Sequence, residues 1–319
     1  MDSGASIESL TGGVSSDIFV VDDGQHRIVV KMALDTLKVN DEWRADIRRN
    51  LSEQQYIKFV ATFLPQVVPK LVYCDEEYFF FVMEHLDNSF VNWKQQLLAG
   101  NADPLIAEEA GKTLGIIHRQ TWDSEIVQDM FDTTGNFHDL RTDPYLLTTG
   151  LRWPELQSYC EEEAERLESE RLCLVHGDYS PKNILLNKER IVILDCEVAW
   201  YGDPAFDLAF LFNHFMLKAL YHFPASAPFL DLIDSAWQAY VNQLSSINIG
   251  DLERRTARLL LILLLARIDG KSPAEYITDH SRKQAVRHFV CEELPKKGHS
   301  FASVRNRWLD YMAKSLPNS

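Results

Sequence analysis

Apolar and polar positions along this chain follow two different periods. Ile18 to Val21 and Ile28 to Lys31 are β-rich runs parted by Asp22-Asp23-Gly24-Gln25, which predicts a hairpin. Thr11-Gly12-Gly13-Val14-Ser15-Ser16 precedes it as a small-residue loop. From about Trp43 to Leu64 the period becomes helical, with Tyr56, Ile57, Val60 and Phe63 or Leu64 as the apolar stripe. Leu71 to Tyr73 and Tyr78 to Met83 then predict two further strands. The order β-β-α-β-β implies a small α+β lobe that ends near Met83-Glu84-His85-Leu86.

Beyond about residue 90 the pattern is mainly helical. Ala107, Ala110, Leu114, Ile117 and His118 fall at helical spacing, and Leu151 to Leu172 reads as one helix with Glu161-Glu162-Glu163 on its solvated face. Two short strands, Ile184 to Asn187 and Ile191 to Asp195, interrupt the helices. Helices follow at about Ala205 to Leu220, Phe229 to Leu244 and Leu252 to Ile268, with two more near the C-terminus. The fold class expected is therefore α+β and bilobal, with residues 1–88 as a β-rich lobe and residues 89–319 as a larger helical lobe.

Composition narrows the function classes. Lys and Arg total 32 against 47 Asp and Glu, a formal net charge of −15. That balance argues against a nucleic-acid or anionic-membrane partner, since both require a basic footprint. The longest aliphatic run, Leu259 to Ala266, is far short of the roughly 20 residues needed to span a bilayer. The opening residues MDSGASIESL lack a charged and an apolar signal region. The five cysteines (Cys74, Cys160, Cys173, Cys196, Cys291) form no C-x-x-C pair, so neither a disulfide framework nor a zinc site is signalled, and a reducing cytoplasmic setting is expected.

The densest chemistry lies in Leu174-Val175-His176-Gly177-Asp178-Tyr179-Ser180-Pro181-Lys182-Asn183, which continues through Ile184 to Asn187 and on to Ile191-Val192-Ile193-Leu194-Asp195. An apolar strand enters a polar loop that holds Asp178 and ends at Asn183, and a hairpin then leads to Asp195. A three-residue turn at 188–190, flanked by Asn187 and Ile191, sets Asn183 opposite Asp195. One amide oxygen and one carboxylate would then share an open end, as hard ligands of the kind Mg²⁺ takes beside nucleotide phosphates. Asp178 is free to accept a proton from a hydroxyl.

H-G-D-x-x-x-x-N followed by I-L-D resembles the catalytic loop and metal-binding Asp of the protein-kinase-like phosphotransferases. His176-Gly177-Asp178 is similar in particular to the aminoglycoside phosphotransferase and choline kinase branch. The resemblance implies ATP and Mg²⁺ as cofactors, Asp178 as catalytic base, and Asn183 and Asp195 as metal ligands. Asp195-Cys196-Glu197 replaces the protein kinases' Asp-Phe-Gly, as in the small-molecule kinases, where Glu197 would touch metal or substrate. Lys31 is placed like the strand lysine that grips ATP phosphates. Glu53 lies on the apolar stripe and is either its ion-pair partner or a lobe-edge residue reaching solvent. Gly12, Gly13, Ser15 and Ser16 look like the phosphate-covering loop. Met83, Glu84, His85 and Leu86 sit where the interlobe hinge would meet adenine.

Asp203-Pro204-Ala205-Phe206-Asp207 resembles the family's G-D-P-x-x-D-L-A segment, which implies that Asp203 caps a helix and Asp207 braces the catalytic loop. His176 reads as a packed scaffold residue. Trp43-Arg44, Trp93 to Leu98 and Ala266 to Pro273 look like segments of bacterial methylthioribose kinases. There Arg267, Asp269 and Lys271 either line an acceptor pocket or form a helix end with its Gly stop. The resemblance as a whole implies transfer of a γ-phosphoryl to a small-molecule hydroxyl acceptor, with a sugar-like metabolite preferred. Asp129, Asp132, Asp139 and Asp143 would suit the alternative, a cationic aminoglycoside or choline-type acceptor. A nucleotide-binding pseudokinase scaffold is the third reading, and a homodimer is left open.

Overall fold

The computed structural model describes residues 4–10, 15–36 and 45–317. Its first part is a five-stranded antiparallel sheet in the order β1-β2-β3-β5-β4, built from β1 (Ser6–Ser9), β2 (Ser16–Asp22), β3 (Arg27–Ala33), β4 (Leu71–Asp75) and β5 (Phe80–Glu84). The hairpin is tighter than the apolar runs suggest. Asp22 pairs with Arg27, and the Asp22 and Asp23 carboxylates accept from the N–H groups of Gly24, Gln25 and His26 to close the loop. Side chains alternate across a strand, so Lys31 points to the same buried face as Val29. Against that face lies α1 (Arg49–Val60), whose buried stripe carries Arg49 and Glu53 with Tyr56, Ile57 and Val60. β1 carries no apolar signal, being exposed at every residue, and its register is set by pairing with β2 alone.

The helical part begins with β6 (Val91–Asn92), α2 (Trp93–Leu98), α3 (Pro104–Thr121), α4 (Glu125–Met130) and α5 (Thr134–Phe137). α5 runs into a π-helical stretch, His138–Leu147, and then α6 (Thr148–Arg152). Pro144 lies inside that stretch; it has no N–H to donate and its ring would crowd the carbonyl four residues back, so the turn widens. α7 (Gln157–Ser169) is shorter than the expected single helix from Leu151 to Leu172, because Pro154 starts a separate turn after α6. The glutamate run is also not wholly solvated. Glu163 is buried and paired with Arg166 and Arg258.

Three short strand pairs then hold the central loop. β7 (Cys173–Val175) pairs with β10 (Trp200–Gly202), and β8 (Ile184–Leu186) lies between β6 and β9 (Ile191–Ile193). Five helices complete the chain: α8 (Ala205–Tyr221), α9 (Ala227–Gln243), α10 (Leu252–Asp269), α11 (His280–Glu293) and α12 (Phe301–Ser315). Every residue of α8 from Ala205 to Leu220 is buried, as is the aliphatic run Leu259 to Ala266 of α10. These two helices are the apolar platform beneath the loop. Among the described residues no helix is long and apolar enough to cross a membrane, and all five cysteines are free.

α3 and α9 meet closely at Gly111, where a Cβ would lie 2.1 Å from the Ala236 carbonyl oxygen. That neighbour is backbone and cannot turn aside. Gly111→Ala is therefore expected to push the two helices apart and lower stability by about 1–3 kcal/mol, read as a fall in the urea midpoint at unchanged slope.

Candidate active site

The loop after β7 is held by one carboxylate beneath it. Asp207, in the first turn of α8, accepts the backbone N–H of His176 at 2.7 Å and of Gly177 at 2.9 Å, and faces His118 Nε2 at 3.4 Å. Gly177 has φ +77°, and a Cβ there would stand 2.5 Å from the Val198 carbonyl oxygen. Both facts require glycine between His176 and Asp178. The Asp178 N–H donates to His176 Nδ1 at 3.1 Å. The His176 ring is buried edge-on to Tyr56 and Tyr179, and burial lowers its pKa. It is a scaffold residue, as its setting in the sequence suggests. Asp203 Oδ1 accepts the Ala205 N–H at 2.9 Å and so caps α8 one residue outside Pro204.

The β8–β9 hairpin differs from expectation by one residue. Its turn has two residues, not three, because Asn187 Oδ1 accepts the N–H groups of Glu189 and Arg190 and the Asn187 N–H donates to the Arg190 carbonyl. Ile184 then opposes Ile193, and Asn183 faces Leu194, not Asp195. Asp195 nevertheless reaches the same side. It adopts φ +65°, a left-handed conformation uncommon for a residue with a side chain.

Around Asp195 the two parts of the molecule are joined by charge. Lys31 Nζ lies 2.6 Å from Asp195 Oδ1 and 2.7 Å from both carboxylate oxygens of Glu53. The alternative for Glu53, a solvent-reaching edge residue, is thereby set aside: it is 2% exposed. Glu197, also buried, pairs with Arg49 Nε at 3.0 Å, and Arg49 Nη2 donates to the carbonyls of Ser15 and Leu34 at 2.6 Å each. Oxygens of Glu53, Asp195 and Glu197 all lie within 4.8 Å of one another. Burial pushes the Glu53 carboxyl up to about 7 against the pull of Lys31, with Asp195 and Glu197 adding to the rise. Burial also opposes charge on Lys31 and Asp195, but their mutual attraction prevails, keeping the ammonium above and the carboxyl well below its usual range.

Asp178 is held by Arg141 Nη2 at 3.1 Å and Lys182 Nζ at 3.6 Å. Asn183 Nδ2 donates to the Asp178 carbonyl at 3.0 Å, and among the described residues nothing donates to its Oδ1. Two cavities meet at this point. One, of about 520 Å³, is lined by Ser15, Ser16, Lys31, Met83, Asn183 and Asp195 among others. The other, of about 340 Å³, contains Asp178, Arg141, Asp195, Glu197, His214 and Arg267. Ser15, Lys94, Lys182, Asp195 and Glu275 line both.

The remaining expected residues fall in different places. Of the hinge segment, Met83 faces the larger cavity, whereas Glu84 turns to the Lys70 N–H and Arg190. His85 and Leu86 are half-buried beyond β5. Gly12, Gly13, Trp43 and Arg44 lie outside the described residues. Arg267 lines the Asp178 cavity, but Asp269 binds Arg287 and Trp153, and Lys271 pairs with Asp143. Asp129, Asp132, Asp139 and Asp143 are not among the residues lining either cavity.

Comparison with known proteins gives this arrangement its context. The model of the phosphotransferase enzyme family matches residues 6–241. The chain belongs to the phosphotransferase enzyme family. Among its relatives are methylthioribose kinases of Geobacillus kaustophilus (26% identical over 271 residues, 74% of this chain and 66% of the relative) and of Geobacillus sp. strain WCH70 (27% over 266 residues, 72% and 64%). The chain thus spans about two thirds of the length of these relatives or slightly less. A solved amicoumacin kinase superposes with a TM-score of 0.56 at 11% identity, over 93% of this chain and 91% of that one. A choline kinase from Cryptosporidium parvum Iowa II does so at 0.51 and 13% identity, over 98% and 90%. These superpositions establish a bilobal kinase-like fold.

Arg141, Lys182 and Lys94 also line the Asp178 cavity of this phosphotransferase-family member, and Arg49 braces Glu197. Lys182 stands inside the motif, one residue before Asn183, and its spacing of i+4 from Asp178 was the available signal. Arg141 had none, since it lies in the π-helical stretch where no 3.6-residue period survives. Asp207→Ala is expected to strand two buried N–H donors at a cost of about 1–3 kcal/mol each; chemical denaturation measures the loss.

Proposed function

We propose that this chain transfers the γ-phosphoryl group of ATP to a hydroxyl of a small, sugar-like molecule. One observation supports the reading above others: Asp195 lines both cavities, so a group bound beside Lys31 and Asn183 would meet a group bound beside Asp178. In this reading residues 1–88 form the nucleotide lobe and 89–319 the catalytic and acceptor lobe. The larger cavity takes the nucleotide, with adenine near Met83 and phosphates near Ser15, Ser16 and Lys31. Among the described residues Ser16 Oγ is buried there without a partner, as a hydroxyl awaiting a phosphate oxygen would be.

The donor set fits a divalent cation. Asn183 Oδ1 and the Asp195 carboxylate are hard oxygen donors, and oxygens of Glu53, Asp195 and Glu197 crowd within 4.8 Å of one another beside Lys31 and Arg49. When bound, Mg²⁺ would offset the charge on the phosphate oxygens. The protein's own groups do the rest. Glu53 keeps Lys31 aimed at the phosphates, Asp178 orients the acceptor hydroxyl and takes its proton, and Arg141 and Lys182 keep the Asp178 carboxylate in place. Methylthioribose kinase relatives support a sugar-like acceptor, and an amicoumacin kinase solved with AMP-PNP and Ca²⁺ supports a nucleotide with a divalent cation. The five free cysteines suit a reducing cytoplasm.

Asp178→Asn keeps the shape of the side chain but cannot accept the proton. It is expected to cut kcat by about 10²–10⁴-fold with Mg·ATP affinity nearly unchanged; wild-type turnover would remove Asp178 from its role. Asp195→Ala is expected to abolish Mg²⁺-dependent nucleotide binding in a calorimetric titration, and an unaltered titration would contradict the ligand assignment.

A further inference from the structure

Part of the wall of the cavity around Asp178 gathers basic side chains. Lys94 of α2, His214 and Lys218 of α8 and Arg267 of α10 gather there with Tyr276 and Glu275. Glu275 pairs with Lys94. Arg267 is held by the Ser272 carbonyl and hydroxyl, and among the described residues its Nε is buried without a partner. Lys218 is fully buried behind Tyr276, donating to its hydroxyl at 2.7 Å with Nζ 4.0 Å from the ring centre. Among the described residues no carboxylate lies within ion-pair distance of Arg267 or Lys218. His214 is 6% exposed, lines the cavity and among the described residues has no partner at Nδ1.

The other carboxylates of the cavity are already engaged. Asp178 faces Arg141 and Lys182, Asp195 faces Lys31, and Glu197 faces Arg49. Burial drives the pKa values of both His214 and Lys218 well below their ordinary range, and Lys94 and Arg267 push in the same direction. Among the described residues Glu275 is the single carboxylate beside Lys94, Arg267 and Lys218 and pairs with Lys94, so a ligand anion would supply the counter-charge that Arg267 lacks.

We propose that the acceptor carries an anionic group, a carboxylate or a phosphate monoester, which seats against Arg267, Lys94 and His214 while its hydroxyl reaches Asp178. This rests on the phosphotransferase reading above. In the transfer the hydroxyl oxygen forms the new bond to the γ-phosphorus, and the bond to the β,γ-bridging oxygen breaks. ADP leaves with that electron pair, and the hydroxyl proton passes to Asp178. A cationic acceptor would meet repulsion at this wall.

The test is calorimetric titration of the full chain, with and without saturating AMP-PNP and Mg²⁺. Four probes share a six-carbon polyol frame: D-gluconate, D-glucitol 6-phosphate, neutral D-glucitol and cationic D-glucamine. At least one anion is expected to bind about 10-fold or more tightly than D-glucitol, as a charge-assisted contact provides, with D-glucamine weakest. The ratio of the two anions distinguishes carboxylate from phosphate. Arg267→Gln and Lys94→Gln, each checked for folding by its melting curve, are expected to reduce that preference to about 2-fold or less. Equal binding of D-glucitol or D-glucamine, no binding by either anion, or a preference that survives in both variants overturns the proposal. Failure of Mg²⁺-dependent AMP-PNP binding would instead strike at the phosphotransferase reading, and the titrations without nucleotide would still report the anion preference.

Discussion

The buried cluster of Lys31, Glu53 and Asp195 is the constraint on which the rest of the structure depends. Lys31 belongs to the sheet, Glu53 to the helix packed on it, and Asp195 lies 164 residues beyond Lys31 in the helical half. Removing one ammonium and two carboxylates from water costs several kcal/mol per ion unless they meet one another. The two halves therefore cannot separate or rotate freely without exposing unpaired charge. Arg49 and Glu197 repeat the device beside it, and Arg49 extends it to the Ser15 and Leu34 carbonyls. The same charges that dock the halves also shape the place where the cavities join.

Beneath that junction the construction is apolar and rigid. α8 is buried along nearly its whole length and α10 from Leu259 to Ala266, so Asp207 stands on a platform that does not yield. From there a single carboxylate fixes two consecutive peptide N–H groups of the loop, and Gly177 permits the turn that brings Asp178 upward. The Asp178 carboxylate is thus positioned by backbone hydrogen bonds and by two flanking cations, not by contacts of its own chain neighbours alone.

The electrostatics of the molecule run against its overall sign. The chain carries a net charge of −15, yet Lys94 and Arg267 line the cavity around Asp178 and Lys218 lies buried beside them. Net charge describes the averaged surface, and a pocket is governed by the few groups within a Debye length of it. For this reason the acidic residues between 129 and 143 do not describe the cavity around Asp178, since none of the four aspartates there lines it.

The sequence by itself determined the α+β order, the strand that carries Lys31, the stripe that places Glu53 beside Tyr56 and Ile57, and the loop that carries Asp178 and Asn183. Each of these follows from a repeat of 2.0 or 3.6 residues or from motif spacing over a few positions. Only the tertiary structure decided the rest. The hairpin register depended on whether Asn187 closed a two- or three-residue turn, which hydrogen bonds to Glu189 and Arg190 settled. Glu163 left the solvated run to meet Arg258 of α10, Arg141 reached Asp178 from a π-helical stretch without a period to read, and Asp269 and Lys271 separated from Arg267. Local spacing records which face of an element a side chain occupies. It holds no record of which distant element covers that face, and charge pairing across the fold is decided there.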